Sequence, residues 1–520
     1  MQLNSLVELW ENSLEFYSKE TAVVWGDTRR DYRTVVDRAR RLGRFLYRVG
    51  ARSQSRIAMM SMNRAEWCDY YAACELHGFV AMTINFRYAP PEVAYVLEDG
   101  TPTVLLFEAR YEETIASLRD RFPAIRQYIC IGKSLDWAPS LEEILAAETG
   151  DGAPMRPNPD DPVHMIYTSG TTGKPKGVVR SQRAGLALAA ACAGPQRMRV
   201  GGHMLLTMPM FHIGAQSMAS GQHLLGGMVV LHDRFEPIEV ARTIQVERIQ
   251  ITHMAPTLVQ RFLEEPRIDE FDLSSLETLC YAAAPMPVPV LREGLARLGP
   301  VFLNCYGATE CGNVAVMQEH LHRPEGTERD IARLGSVGRQ HLFATLRVLD
   351  EQGVEVPRGT VAELCVRSDS VMTEYWNKPV ETAEVLRDGW YRTGDLARMD
   401  EEGFVFLVDR KKDMIISGGE NIYCREVEDA LVAHPMIAEA AVIGIPDDKW
   451  GETVKAVVVM QPGRALTDGE VIEFCRQRIA GYKVPRVIEY VDILPVLPTG
   501  KVNKMILREQ HLAALREEVH

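Results

Sequence analysis

The sequence contains no Cys-x-x-Cys and no Cys/His cluster at metal-ligand spacing. Its ten cysteines are scattered from Cys68 to Cys475, which suits reduced, buried small hydrophobes and excludes a disulfide framework or a zinc finger. His320 and His322 form an isolated pair in a polar loop and are expected to be solvated. No apolar run approaches the length that spans a bilayer. Met1–Trp10 lacks the basic stretch and apolar core of a signal peptide. The C-terminal Glu-Glu-Val-His carries no peroxisomal or prenylation signal, so the expected location is cytoplasmic. A surplus of basic residues is also missing. The formal charge of −13 argues against a general nucleic-acid or anionic-membrane partner. An anionic ligand must therefore be met by local lysines and arginines. Internal repeats and low-complexity tracts are absent.

What remains is a chain of 520 residues with 46% apolar and 25% charged side chains, the composition of a globular protein with two or more domains. Short apolar runs alternate with helical patterns through the first half. Arg56–Met60, Phe79–Ile84, Thr103–Phe107, Tyr128–Ile131, Met204–Met208, Met228–Leu231, Ile249–Thr252, Thr278–Tyr281 and Val301–Leu303 read as strands. That alternation predicts layered α/β structure with largely parallel sheets. Leu3, Leu6, Val7 and Trp10 mark one face of a short N-terminal helix. Pro154 to Pro162, with four prolines, reads as a surface connection. From residue 335 to 410 strands dominate (Phe343–Leu349, Val361–Val366, Gly403–Val408), as in a small β-barrel or antiparallel sheet. The charged run Asp409-Arg-Lys-Lys-Asp413 ends it. Beyond it, helix, strand, strand, helix and strand predict a small α+β domain. The expected division is 1–410 and 411–520.

The most informative stretch is Tyr167-Thr-Ser-Gly-Thr-Thr-Gly-Lys-Pro-Lys-Gly-Val178. Glycines that free backbone N–H groups, hydroxyls and two lysines are what a polyphosphate needs as ligands. The run Val163–Tyr167 before it reads as a buried strand, which would put the loop at a strand's carboxyl end, where open α/β sheets bind ligands. It is not the ordinary phosphate loop. Thr168 stands where that motif needs Gly, and Pro175 follows Lys174 where it needs Ser or Thr. Pro175 also prevents a direct run into helix. Val178-Val179 reads as a return strand, and Ser181 as the N-cap of the next helix.

This stretch resembles the phosphate-loop signature of the adenylate-forming superfamily: acyl-CoA synthetases, aryl-CoA ligases, peptide-synthetase adenylation domains and beetle luciferases. Further motifs agree, in family order. Asn304-Cys-Tyr-Gly-Ala-Thr-Glu310 resembles the segment in which Tyr306 packs on adenine, Gly307 follows it, Thr309 holds a phosphate and Glu310 binds Mg²⁺. Ala282-Ala-Ala-Pro285 matches a glycine-richer family segment lining adenine and the acyl pocket, so Ala283, Ala284 and Pro285 would touch nucleotide and narrow the pocket floor. Pro209-Met-Phe-His212 resembles the gate of the carboxylate pocket. Amino-acid-activating relatives carry Asp where this chain has His212, which speaks against amino acids. Met208, Met210 and Met218 could line a compliant wall or pack the core. Trp390-Tyr-Arg-Thr-Gly-Asp395 resembles the motif whose Asp395 accepts both ribose hydroxyls, and Arg410 matches the second ribose contact. Pro498-Thr-Gly-Lys501 resembles the catalytic lysine motif. Gly418, Gly419, Trp450 and Lys483 match the face that receives CoA, and Lys412 matches the hinge. Asp409 replaces a common glycine.

The resemblance implies a large N-terminal domain of two layered α/β subdomains plus a small β-barrel, followed by a small mobile α+β domain. It implies an AMP-forming acyl-CoA synthetase using ATP, Mg²⁺ and CoA on a carboxylic acid. Thr168, Ser169, Gly170, Thr171, Thr172, Gly173, Lys174 and Lys176 would grip the β- and γ-phosphates, while Thr309 and Lys501 stabilise charge on the α-phosphate. His212 and the methionines favour an apolar fatty or other acyl chain. The alternatives are an aryl or crotonobetaine/carnitine-type acid, a carrier protein as acceptor, and a non-catalytic nucleotide-binding regulator. Intact Glu310, Asp395 and Lys501 argue against the last. The sequence leaves the oligomeric state open, a homo-oligomer included.

Overall fold

Two sheets of mainly parallel strands organise the first of two compact units, in a computed structural model that describes residues 3–149, 155–168, 174–282, 286–411, 413–417, 420–447, 450–496 and 502–518. That unit comprises Met1–Leu346 and Val366–Arg392; the second comprises Arg347–Cys365 and Thr393–His520.

One sheet of the first unit has seven strands. Its parallel part runs Pro162–Thr168, Val80–Thr83, Arg56–Met60, Val104–Glu108, Gln127–Ile131, with Lys176–Ser181 and then Glu374–Tyr375 added antiparallel on the near edge. The other sheet has nine. Phe302–Ala308, Thr278–Tyr281, Ile251–Met254, His203–Leu206, Met228–Leu231 and Thr21–Trp25 are parallel neighbours, flanked antiparallel by Gly312–Met317, with Arg339–Gln340 beyond it, and on the other edge by Thr28–Asp31. The apolar runs that predicted strands are buried almost throughout: Val104–Glu108 is covered along its whole length, as expected for strands with helices on both faces.

The N-terminal helix Leu6–Phe16 buries Leu6, Val7, Leu9 and Trp10, while Leu3 lies outside it and is exposed. Beneath it lies a buried polar knot. Glu75 accepts from Trp10 Nε1 at 2.5 Å and pairs with His164 Nε2 at 2.8 Å, and its backbone carbonyl accepts from Gln182 at 2.8 Å. All ten cysteines are buried and unbridged. Among the described residues, no helix is long and apolar enough to cross a membrane.

The β-rich stretch is a five-stranded sheet of Thr345–Leu349, Ala362–Arg367, Trp390–Met399, Leu386–Arg387 and Val405–Arg410. The rest of the second unit packs the helices Cys424–Val432 and Asp468–Arg476 with the long antiparallel pair Ile437–Asp447 and Gly451–Met460. Val487–Tyr490 joins that pair in parallel, and a helix over Lys504–Glu518 closes the chain.

Candidate active site

The predicted strand and return strand are present. Pro162–Thr168 pairs antiparallel with Lys176–Ser181, ending at Thr168↔Lys176, so the residues between them follow the carboxyl end of a strand. Ser181 caps the helix Gln182–Ala193 by accepting from Ala184 N. Ser169, Gly170, Thr171, Thr172 and Gly173 lie outside the described residues. Lys174 places its ammonium 5.3 Å from the Tyr95 ring centre, and Tyr95 Oη donates to the Pro175 carbonyl at 3.0 Å. Lys176 sits 5.0 Å from the Tyr375 ring centre. Both lysines are thus held beside aromatic faces, and neither is neutralised by a carboxylate in those contacts.

The second motif departs from expectation. Strand Phe302–Ala308 runs on past Leu303 and turns back as Gly312–Met317, so Tyr306 and Gly307 are strand residues and Thr309-Glu310-Cys311 is the hairpin tip. Gly307 is obligatory there. A Cβ would lie 1.9 Å from the Gly312 carbonyl oxygen, far inside contact distance. Tyr306 and Glu310 are half-buried and Thr309 is buried.

The tip is held from three directions. Met372 N donates to the Glu310 carbonyl at 2.7 Å. Tyr375 Oη donates to Glu310 Oε1 at 2.8 Å. Arg180 Nη2 donates to the Thr309 carbonyl at 2.7 Å. Burial and then the neighbouring Glu310 carboxylate push the Tyr375 phenol up, so it stays a donor. Sequence reasoning missed Tyr375 and Arg180. The available signal was strand alternation: Lys176, Val178 and Arg180 share one face, and Tyr375, paired with Val178, shares it too. A period of two from Lys176 would have put a second cation on its side.

His212 caps the helix Ile213–Leu224, its Nδ1 accepting from Gly214 N at 3.1 Å. It also faces His253, whose imidazole burial and His212 together push down to about 4. Met210 and Met218 are core residues, whereas Met208 is only partly buried against that core. Ala282 follows its strand half-buried, and Ala283, Ala284 and Pro285 lie outside the described residues. The expectation of a solvated His322 fails. It is 5% exposed and its Nε2 lies 2.8 Å from Tyr281 Oη, a contact made across the fold.

In the second unit Asp395 and Arg410 are register partners on adjacent strands. Arg410 Nε meets Asp395 Oδ1 at 2.7 Å, with Asp395 8% exposed. The two expected ribose contacts are therefore one ion pair; a carboxylate has lone pairs enough for both a guanidinium and a diol. The preceding Gly394 has φ +72°, a conformation that favours glycine. Asp409 accepts from the backbone N–H groups of Arg410 and Cys424.

The hairpin Ile415–Ser417/Glu420–Ile422 closes at Ser417↔Glu420, and Ser417 also pairs with Gly451, next to Trp450. Lys483 precedes Val487–Tyr490 as Gly451 precedes Lys455, and Lys455 pairs with Val487, so Lys483 lies at the same end of the sheet. Lys483 Nζ contacts both oxygens of Glu426 at 2.7 Å, and Arg486 lies 5.0 Å from the Trp450 ring centre. Gly418, Gly419, Lys412 and Lys501 lie outside the described residues.

Among the described residues no group of three His, Cys, Asp or Glu could hold a metal ion. Glu310 alone, a half-buried carboxylate on a hairpin tip, fits a cation that takes one protein oxygen and shares the rest with phosphates and water, as Mg²⁺ does.

The AMP-binding enzyme family matches residues 10–376, and the AMP-binding enzyme C-terminal domain matches residues 426–501. A feruloyl-CoA synthase of Amycolatopsis sp is 35% identical over 497 residues, 94% of this chain and 96% of the relative. The long-chain-fatty-acid–CoA ligase FadD13 of Mycobacterium tuberculosis is 33% identical over 493 residues, 94% of each chain. The solved structure titled Mycobacterium tuberculosis fatty acyl CoA synthetase aligns with a TM-score of 0.81 at 30% identity, covering 98% of this chain and 99% of that one. With both domain families matched in order and relatives aligned nearly end to end, the chain belongs to the AMP-binding enzymes, the adenylate-forming superfamily.

Proposed function

We propose that this chain is an ATP-dependent, AMP-forming acyl-CoA synthetase acting on a carboxylic acid with an apolar body, fatty or aryl. The observation that carries the reading is the grouping of Lys176, Tyr375, Thr309 and Glu310 where the edge of one sheet meets the hairpin tip of the other. It offers a cation, two hydroxyls and one carboxylate to a polyphosphate with its bound cation.

In the first step a carboxylate oxygen of the acid attacks the α-phosphorus of ATP, and the bond to the bridging oxygen breaks, releasing pyrophosphate. In the second the CoA thiolate attacks the acyl carbon and AMP leaves. Transfer at phosphorus asks a protein for positioning and charge neutralisation. Lys174 and Lys176 hold the departing β- and γ-phosphates. Thr309 donates its hydroxyl to the α-phosphate. Bound Mg²⁺ would neutralise charge on the phosphate oxygens, with Glu310 as its protein ligand. Lys501 supplies the cation for the reacting carboxylate and α-phosphate, Asp395 and Arg410 take the ribose, and Tyr306 packs on adenine. Gly418, Gly419, Trp450 and Lys483 receive CoA after rotation at Lys412, with residues 411–520 as the moving part. His212, where amino-acid-activating relatives carry Asp, and the half-buried Met208 support an acid without a cationic group.

Pyrophosphate release over a panel of fatty acids, benzoates, cinnamates and carnitine-like acids, with and without CoA, tests the reading. Turnover of one apolar acid to its CoA thioester is expected. Acid-dependent pyrophosphate release that no free CoA converts to thioester would redirect it to a carrier-protein acceptor.

A further inference from the structure

The most unusual charge in the first unit is Arg180. It is fully buried, and it lies in the strand that begins with the phosphate-loop residue Lys176. Among the described residues its guanidinium donates to backbone carbonyls rather than to a carboxylate: Nε to Ser370 at 2.9 Å and Nη2 to Thr309 at 2.7 Å. Ser370 in turn donates through Oγ to the Cys311 carbonyl at 2.7 Å. One planar fork thus ties together the strand of the phosphate loop, the Thr309-Glu310-Cys311 tip and the Ser368–Met372 segment that also grips Glu310 through Met372 N.

Burying a guanidinium is costly unless the charge is used. A plain core would do better with Leu or Met, as Val178 and Val179 do beside it. Burial pulls Arg180 down to about 10, with Cys311 and Glu310 opposing the pull, so it stays charged at neutral pH. Its rigid fork suits two carbonyls at once, which an ammonium cannot span.

We infer that Arg180 is a positioning residue for the polyphosphate site: it locks the Thr309–Glu310 tip to the strand carrying Lys176, setting the spacing between the carboxylate that takes the cation and the lysine that takes the phosphates. The inference rests on the reading that this tip receives Mg·ATP, but its consequence is read in binding, without any acid substrate. AMP, which lacks the β- and γ-phosphates, needs no such spacing.

Calorimetric titration of the full chain with Mg·ATP and with AMP tests it, comparing wild type with Arg180→Met and Arg180→Lys. Loss of charge-assisted hydrogen bonds at such a site should weaken Mg·ATP about tenfold or more in Arg180→Met. AMP, which meets the tip only through Thr309, should lose affinity by a clearly smaller factor than Mg·ATP. Arg180→Lys, which keeps the charge and loses the fork, should fall between. Three results overturn the assignment: equal losses for AMP and Mg·ATP, a folded Arg180→Lys chain identical to wild type, or an Arg180→Lys chain that does not fold, which would make the residue purely structural. A wild-type chain that binds neither nucleotide removes the underlying reading and the inference with it.

Discussion

His164 and Glu75 face each other across 2.8 Å with side-chain exposures of 1% and 2%. The carboxylate also takes the Trp10 indole, so one buried acid links the seven-stranded sheet, the helix Glu66–His77 and the N-terminal helix. Removing it leaves an indole N–H and an imidazole buried without their acceptor. Glu75→Ala should destabilise the first unit by about 3–5 kcal/mol. His164→Ala in that background should cost less than it does alone. Thermal and urea unfolding of the four chains of that cycle read this out. Additive losses would show that the pair is not coupled.

Gly307→Ala should disable the site without touching a ligand. Its Cβ would strike the Gly312 carbonyl, forcing the hairpin open and moving Thr309 and Glu310. We expect a stability loss of about 1–3 kcal/mol and a fall in pyrophosphate release of about two orders of magnitude. A variant with wild-type turnover would show that the tip tolerates displacement.

Lys501→Ala and Lys483→Ala should fail in different half-reactions. The first should lose acid-dependent pyrophosphate release by about two to four orders of magnitude while still converting a supplied acyl-adenylate and CoA to thioester. The second should raise the CoA KM and leave adenylation alone. Its ion pair with Glu426 adds a control: Glu426→Gln frees the ammonium and should not raise the CoA KM. Parallel loss of both half-reactions in Lys501→Ala would contradict the two-step division of labour.

Acid should destabilise the first unit before it titrates the carboxylates. Burial pushes His77, His223, His253 and His322 down to about 4 from an ordinary value of 6.5. Their folded-state values are depressed, so the unfolded chain binds more protons between pH 4 and 6.5. Stability is then full above that window and falls as pH drops through it. Each histidine contributes up to about 1.4 kcal/mol per pH unit. A melting temperature that stays flat from pH 7 to pH 5 would refute this.

Legibility followed how local each determinant is. The phosphate hairpin could be read because Pro175, Val178-Val179 and Ser181 each speak for their own position, and the structure places a strand pair and an N-cap there. The strand read as Val301–Leu303 runs on to Ala308, past a Gly307 that looks like a breaker. Gly307 is a strand residue whose missing side chain lets two backbones approach. Thr21–Trp25 has the β-branched and aromatic composition of a strand, and Val23 and Val24 lie beside Val229 and Val230. His322 looked solvated in its polar neighbourhood, and its contact with Tyr281, distant in sequence, is not visible locally. In the same way Arg180 gains meaning from Thr309 and Ser370, which no local pattern connects to it.

The second unit is assembled from two separate lengths of chain, Arg347–Cys365 and Thr393–His520. Within it, Glu363 accepts from Gly394 N at 3.1 Å and lies 3.6 Å from Lys411. Exchange of this unit between relatives is therefore a two-graft operation. A chimera joined once, at residue 411, would pair a foreign lysine with a resident glutamate, whereas one that takes residues 347–365 together with 393–520 keeps Glu363, Gly394 and Lys411 as a set.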